Sequence, residues 1–157
     1  MNGLTRLPAF RILCLVTLIL LWPGAGSFAR GGNPGAAIAQ DEIPADASRI
    51  LLEVEKGIQQ SSPDQIVSGI SRQIYLDLPG REGGYYSANQ ARYILQEFFR
   101  QRKVVHFRFG TKGSSEGVPF ATGGGTSVVK GVRGAFQVYI SLARHDDRWV
   151  ISQFSIY

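Results

Sequence analysis

The sequence predicts a two-layer α+β domain, helices first and an antiparallel sheet after them, in the order α-α-β-α-β-β-β-β. Three features carry this. Residues 87–103 combine a capping signature with an apolar stripe at helical spacing. From Val104 onward only alternating apolar and polar segments follow, separated by glycine- or aspartate-bearing turns. Helices with one apolar face, followed by strands with one apolar face, bury both by packing in two layers.

The elements follow in order. The first helix starts at Asp46 as N-cap, with Ile50, Leu51, Val54 and Ile58 on one face and Arg49, Glu53, Glu55 and Lys56 on the other. The second is announced by Ser62-Pro63-Asp64-Gln65: Ser as N-cap, Pro at N1 and Gln at N3 to close a capping box, with Gly69 ending it. In the first strand Ile70, Ile74, Leu76 and Leu78 alternate with Ser71, Gln73, Tyr75 and Asp77, and Arg72 interrupts the apolar face. Residues 79–84 turn the chain into the third helix, where Ser87-Ala88-Asn89-Gln90 makes a second capping box. Its stripe is Ala91, Ile94, Leu95, Phe98 and Phe99. Arg100, Arg102 and Lys103 lie at its C-terminus, where cations oppose the helix dipole.

Four strands remain. Val105, Phe107 and Phe109 share one face of the first, with His106 and Arg108 on the other, and residues 113–117 form the turn. Residues 120–130 are a weaker strand, because Gly123-Gly124-Gly125 in its middle marks a bulge or bend, or equally leaves space above the sheet for Phe98, Phe99 or a ligand. Residues 131–134 turn it into the next. A three-residue loop at His145-Asp146-Asp147 sets Arg144 opposite Arg148 in the last hairpin. Leu142, Val138 and Phe136 then face Val150, Phe154 and Ile156 on the core side, while Tyr139, Trp149 and Ile151 point outward.

Residues 1–29 read as a secretory signal peptide. Arg6 and Arg11 precede the apolar run Ile12–Trp22, then Pro23-Gly24-Ala25-Gly26 and the small-residue site Ser27-Phe28-Ala29. Eleven apolar residues fall short of the roughly 20 that cross a bilayer core. Ala37-Ile38-Ala39 is a competing cleavage site. Residues 30–46, rich in Gly, Pro and Ala, read as a flexible linker, and 47–157 as one folded domain. Export across an inner membrane, to the periplasm or beyond, is the expected destination. The membrane is a partner only if the leader stays uncleaved.

The only cysteine, Cys14, lies in the leader, so the exported chain has neither disulfide nor thiol nucleophile. Loss of Arg6 and Arg11 leaves 15 basic against 12 acidic residues. That balance is a mildly basic surface rather than the concentrated basic stripe of a nucleic-acid binder.

The element order, the run Gly84-Tyr85-Tyr86-Ser87-Ala88-Asn89-Gln90-Ala91 and the closing Trp149-Val150-Ile151-Ser152-Gln153 resemble the nuclear-transport-factor-2-like (NTF2-like) superfamily. Within it, the chain is similar to the small secreted bacterial domain-of-unknown-function family 4783 over about residues 49–157. The resemblance implies a cone, a curved sheet wrapped over the third helix. Phe98, Phe99 and Phe107 are the residues expected to line a cavity between them. Members include isomerases and dehydratases, transport adaptors and dimerisation modules. The enzymes place carboxylates or His–Asp pairs in the cavity, and no pair here matches such a motif, so no catalytic residue is carried over.

The remaining chemistry is sparse. His145 beside Asp146 and Asp147 suits a tight hairpin loop better than a metal site. His106 and Arg108 could pair as acid/base and anion clamp, yet equally form a solvated sheet face, and nothing local buries Asp77 beside Tyr75. The three glycines are no phosphate loop, since no Lys-Ser or Lys-Thr pair or helix follows. The expected function is a secreted non-enzymatic binding or assembly module without cofactor or metal. A protein partner or a second copy would dock on Tyr139, Trp149, Ile151 and Tyr157. The alternative is a small-ligand-binding or isomerase/lyase domain taking a small apolar ligand into the cavity. Intact mass of the exported protein should begin at Arg30 or Gln40; a species that retains residues 1–22 would instead mean a membrane tether.

Overall fold

The computed structural model describes residues 42–157; the expected signal peptide, its candidate cleavage sites and most of the expected linker lie outside the described residues. Three helices, α1 (Ala45–Gln59), α2 (Pro63–Val67) and α3 (Ala88–Gln101), pack on a curved six-stranded sheet. The strands are β1 (Gln73–Asp77), β2 (Gly84–Ser87), β3 (Arg102–Ser115), β4 (Val118–Val129), β5 (Val132–His145) and β6 (Arg148–Ile156). Their order across the sheet is β2-β1-β6-β5-β4-β3, with β1 and β6 parallel and all other neighbours antiparallel. The α+β class and the helices-then-strands layering match the sequence; the sheet is mixed, and it has one strand more than expected.

That extra strand is β2. Gly84-Tyr85-Tyr86-Ser87, read as the approach to α3, pairs with β1 before the helix starts. Ser87 serves as both last strand residue and N-cap: its Oγ accepts from Gln90 N, and the Gln90 side chain accepts from Ser87 N. The capping box expected at Ser62 does not form. Gln65 Nε2 donates instead to Gln60 Oε1 at 2.9 Å, because α1 turns into α2 within a few residues and brings Gln60 close. α1 begins at Ala45 with Pro44 as its N-cap, so Asp46 sits in the first turn, its Oδ1 accepting from Ala47 N.

α1 also protects a sheet edge. β3 is an edge strand, and Gln59 Nε2 donates to the Phe107 carbonyl at 2.9 Å while Lys112 reaches Glu55 at 3.2 Å. An open edge invites pairing with other chains, and a helix laid along it prevents that.

β3 itself carries two bulges. Val105 and Gly110 are each an extra residue against β4. Val104, not Val105, therefore joins Phe107 and Phe109 in the core, and Val105 is 49% exposed. The glycine run is regular rather than bulged, paired on both sides through Gly123, Gly124 and Gly125. A Cβ on Gly123 would strike the Arg108 carbonyl, and one on Gly125 the His106 carbonyl and, at 2.8 Å, the Phe136 ring. These two face inward and let β3 close on β4 while Phe136 lies over the bare backbone.

The last hairpin corrects the expected register. The turn has two residues, Asp146 and Asp147, both at positive φ (48° and 59°), a conformation whose twist suits a hairpin. Arg144 then pairs with Trp149, Ala143 with Val150 and Leu142 with Ile151. Ser152 is an extra residue, after which Ser141 pairs with Gln153, Ile140 with Phe154 and Val138 with Ile156. Phe154 and Ile156 face the core as expected, but the half before the bulge is inverted. Ile151 is fully buried (0% exposed) rather than outward.

Unfolding in urea should show Phe107→Ala costing about 3–5 kcal/mol, the usual range for a buried aromatic truncation. Ser87→Ala should cost about 1 kcal/mol through the lost cap. Phe98, only half-buried, should cost less than Phe107; equal losses would place Phe98 in the core.

Candidate functional site

Two regions could serve function: the inside of the cone and the outer face of the sheet. Inside, the rings expected to border a cavity largely fill it. Phe107 is completely buried, stacked on Phe136 (centroids 5.7 Å, planes 13° apart) and edge-on to Phe109 at 5.1 Å. Phe99 and Leu95 of α3 join the same core. Phe98 departs from the core centre: half-buried, it lies under the Arg102 guanidinium, 4.7 Å from ring centroid.

What remains is a pocket of about 210 Å³ at the mouth of the cone, between the β1–β2 turn and the end of α3. Leu78, Ile94, Phe98 and Val129 give it an apolar floor, while Arg81, Glu97, Gln101 and Arg102 form the rim. Glu97 accepts two hydrogen bonds from Arg100, at 2.9 and 2.8 Å, and one from Gln101. The Arg100 hydrogen bonds chiefly, with Gln101 next, hold its carboxyl below the usual range. That is the wrong direction for a general acid. The buried polar residues of the described chain are Ser127, Ser141 and Ser155, with no buried carboxylate or imidazole.

The outer face is built from the other side of the same strands. Tyr75 and Tyr85, paired across β1 and β2, meet edge to face at 5.3 Å. Phe120 and Tyr139 stack at 6.4 Å. Tyr85 and Tyr157 are 71% and 63% exposed. Alternation puts Tyr139 here as expected. Trp149 goes elsewhere: on the Ile151 side of β6, it packs against the core under the Arg144 guanidinium at 5.6 Å. Ile151 is likewise lost to this face, since the two-residue turn and the Ser152 bulge invert that half of β6. Tyr75, Tyr85 and Phe120 take their place. For Tyr75 and Phe120 the signal lay in the alternation of β1 and β4, where each adjoins a buried neighbour such as Ile74, Leu76 or Ala121; Tyr85 lies on β2, which the sequence did not offer as a strand.

His106 and Arg108 are exposed on this outer face, in register with Thr126 and Gly124. His145 Nε2 lies 3.4 Å from Asp146 Oδ2 at the hairpin tip. Among the described residues no cluster of three or more His, Cys, Asp or Glu could hold a metal ion. No helix among them is long and apolar enough to cross a membrane.

The pattern of DUF4783, a domain of unknown function, matches residues 51–157, most of the chain. The protein belongs to the DUF4783 family. A solved DUF4783 family protein from Bacteroides ovatus is similar with a TM-score of 0.58 and 24% identity, over 73% of this chain and 94% of that one. A ketosteroid isomerase-like protein from Erwinia carotovora atroseptica gives 0.58 and 13%, over 71% and 92%. An NTF2-like protein of unknown function from Pseudomonas putida gives 0.56 and 6%, over 69% and 81%. No curated relative matches. At these identities the likenesses establish an NTF2-like fold for this DUF4783 domain, and the fold hosts enzymes and non-enzymes alike.

The mouth of the cone tests its own importance. Glu97→Gln removes a carboxylate that is ion-paired on the surface, so the melting temperature should stay nearly unchanged, as for exposed pairs generally. A larger loss in a thermal melt would show that the rim holds the fold.

Proposed function

We infer that this DUF4783 protein is an exported, non-enzymatic binding module that works through the outer face of its sheet. The single observation that carries this is the division of aromatic side chains. Phe99, Phe107, Phe109 and Phe136 fill the cone, whereas Tyr75, Tyr85, Phe120, Tyr139 and Tyr157 stand on its outside. Aromatic residues are enriched where proteins make contacts, because a large rigid ring gains contact area at little cost in side-chain entropy. A catalytic interior would need a positioned acid and base in a dry site; the buried polar side-chain groups among the described residues are three serines, the Trp149 Nε1 and the Gln65 Oε1.

A small-ligand role at the mouth of the cone is the second reading, favoured by the Arg102 guanidinium over Phe98 beside an apolar floor. Hydroxyl-radical footprinting separates the two, with the protein in its own cell-envelope fraction compared against the isolated protein. Tyr85 and Tyr157 should lose reactivity several-fold, while Tyr93, 71% exposed on α3, stays unchanged as internal control. Protection of Phe98 and Ile94 with Tyr85 and Tyr157 still reactive would favour the cone mouth and overturn the outer face.

A further inference from the structure

The outer face holds a groove of about 520 Å³ that crosses β3, β4 and β5 and reaches Tyr157, just past β6. We propose that this groove binds an anionic glycan, an inference that rests on the outer face being the binding surface.

The floor is the first observation. Gly123 and Gly125 are required by inward packing, but Gly124 is not. It faces outward, exposed, and a Cβ there would meet nothing closer than the Phe136 carbonyl at 3.7 Å. Glycine weakens a strand interior and is kept where a bend or the close approach of a ligand needs it. The bends in this region fall on β3 at Val105 and Gly110. Gly110, also on the groove floor, has open space where a Cβ would sit. A bare backbone at both positions leaves room for a ring lying flat on the sheet.

The wall is the second. Tyr139 has Phe120 stacked on one side, and Phe120 lies toward the Ser115–Val118 turn, away from Gly124. Its other side borders the groove, with Tyr157 beside it. A sugar ring presents a face of C–H bonds to the electron-rich face of such an aromatic ring. Thr111 and Thr122, paired across β3 and β4, and the Gln137 side chain also line the groove. Hydroxyls and a carboxamide both donate and accept, as sugar hydroxyls do. The backbone groups of β4 and β5 under the groove are engaged in ladders on both sides, which disfavours strand addition by a peptide across the middle of the groove.

Charge is the third. Arg108 stands directly opposite Gly124 in register, and Lys103 and Arg133 follow on the same face toward the β4–β5 turn. Among the described residues none of these three cations has an ion-pair partner, and no carboxylate side chain lines the groove. Guanidinium groups bind carboxylate and sulfate oxygens through paired N–H donors.

Isothermal titration with trigalacturonate and a chondroitin sulfate tetrasaccharide as anionic probes, maltotriose as the neutral one and pentaglutamate as the acidic peptide tests this. At least one anionic oligosaccharide should bind saturably, and at least tenfold more tightly than maltotriose and pentaglutamate. Gly124→Val should weaken that binding at least tenfold without lowering Tm, since its side chain fills the groove and valine suits a strand. Arg108→Gln should weaken it and flatten its salt dependence. Tyr139→Ala provides a second groove variant should Gly124→Val unfold. Pentaglutamate binding as tightly would mean an acidic peptide surface and overturn the glycan. So would absence of saturable binding by both oligosaccharides, or binding indifferent to the groove variants. Footprinting protection of Tyr85 and Tyr157 in the envelope fraction, with no oligosaccharide bound, would sink the glycan alone; loss of both results would sink the binding face as well.

Discussion

The stack of Phe136 on Phe107, laid over the bare backbone of Gly125, is the contact on which the rest of this domain depends. A side chain at Gly125 would collide with the His106 carbonyl and with the Phe136 ring, so neither strand approach nor ring placement survives its addition. With that space free, the two phenylalanines stack at 5.7 Å and Phe109 closes on them from the side. Buried rings of this size dominate a small core. The same contact occupies the centre of the region in which a cone-shaped fold could otherwise hold a ligand.

The bulges serve the same end. Val105 and Gly110 bracket the stretch of β3 that carries Phe107 and Phe109, bending the strand where it must wrap over the core. On the opposite side of the sheet, Ser152 resets the phase of β6 so that Trp149 and Ile151 face the helices near α2 while Phe154 and Ile156 face them further along. The Ile151 amide donates to the Gly69 carbonyl at 2.7 Å, so the segment leaving α2 is tied to the inverted half of β6. Polar and aromatic residues left outside then form a surface with its own character, tyrosines on β1, β2 and β5 and, toward β3 and the β4–β5 turn, the cations Lys103, Arg108 and Arg133.

Much of this was legible in the sequence, and what was not has a common cause. Helical spacing and the Ser87–Gln90 capping box located α3 because both are local and obey a fixed period. Phe107 and Phe109 were placed correctly by alternation, and Val105 was not, because a bulge shifts phase without any change in composition. The final hairpin failed for the same reason: Asp146-Asp147 forms a two-residue turn, and the spacing of three from Ile151 to Phe154 was the one trace of the bulge at Ser152. Of the proposed interaction face, Tyr139 and Tyr157 sit outside, whereas Ile151 and Trp149 turn toward the core. Tyr85 lies in a segment not expected to be a strand, and Tyr75 and Phe120 join the face only through neighbours, Tyr85 and Tyr139, that strand pairing brings beside them. Among the expected cavity residues, Phe99 and Phe107 are core and Phe98 marks the rim.

The proposed outward-working surface requires a filled cone. The direct measurement is NMR under xenon pressure, since xenon enters dry apolar cavities inside proteins. The packing of Phe107, Phe136, Leu95 and Phe99 predicts that their resonances stay unmoved as xenon is added. Saturable shifts centred on Phe107 and Leu95 would reveal an open interior and contradict the account.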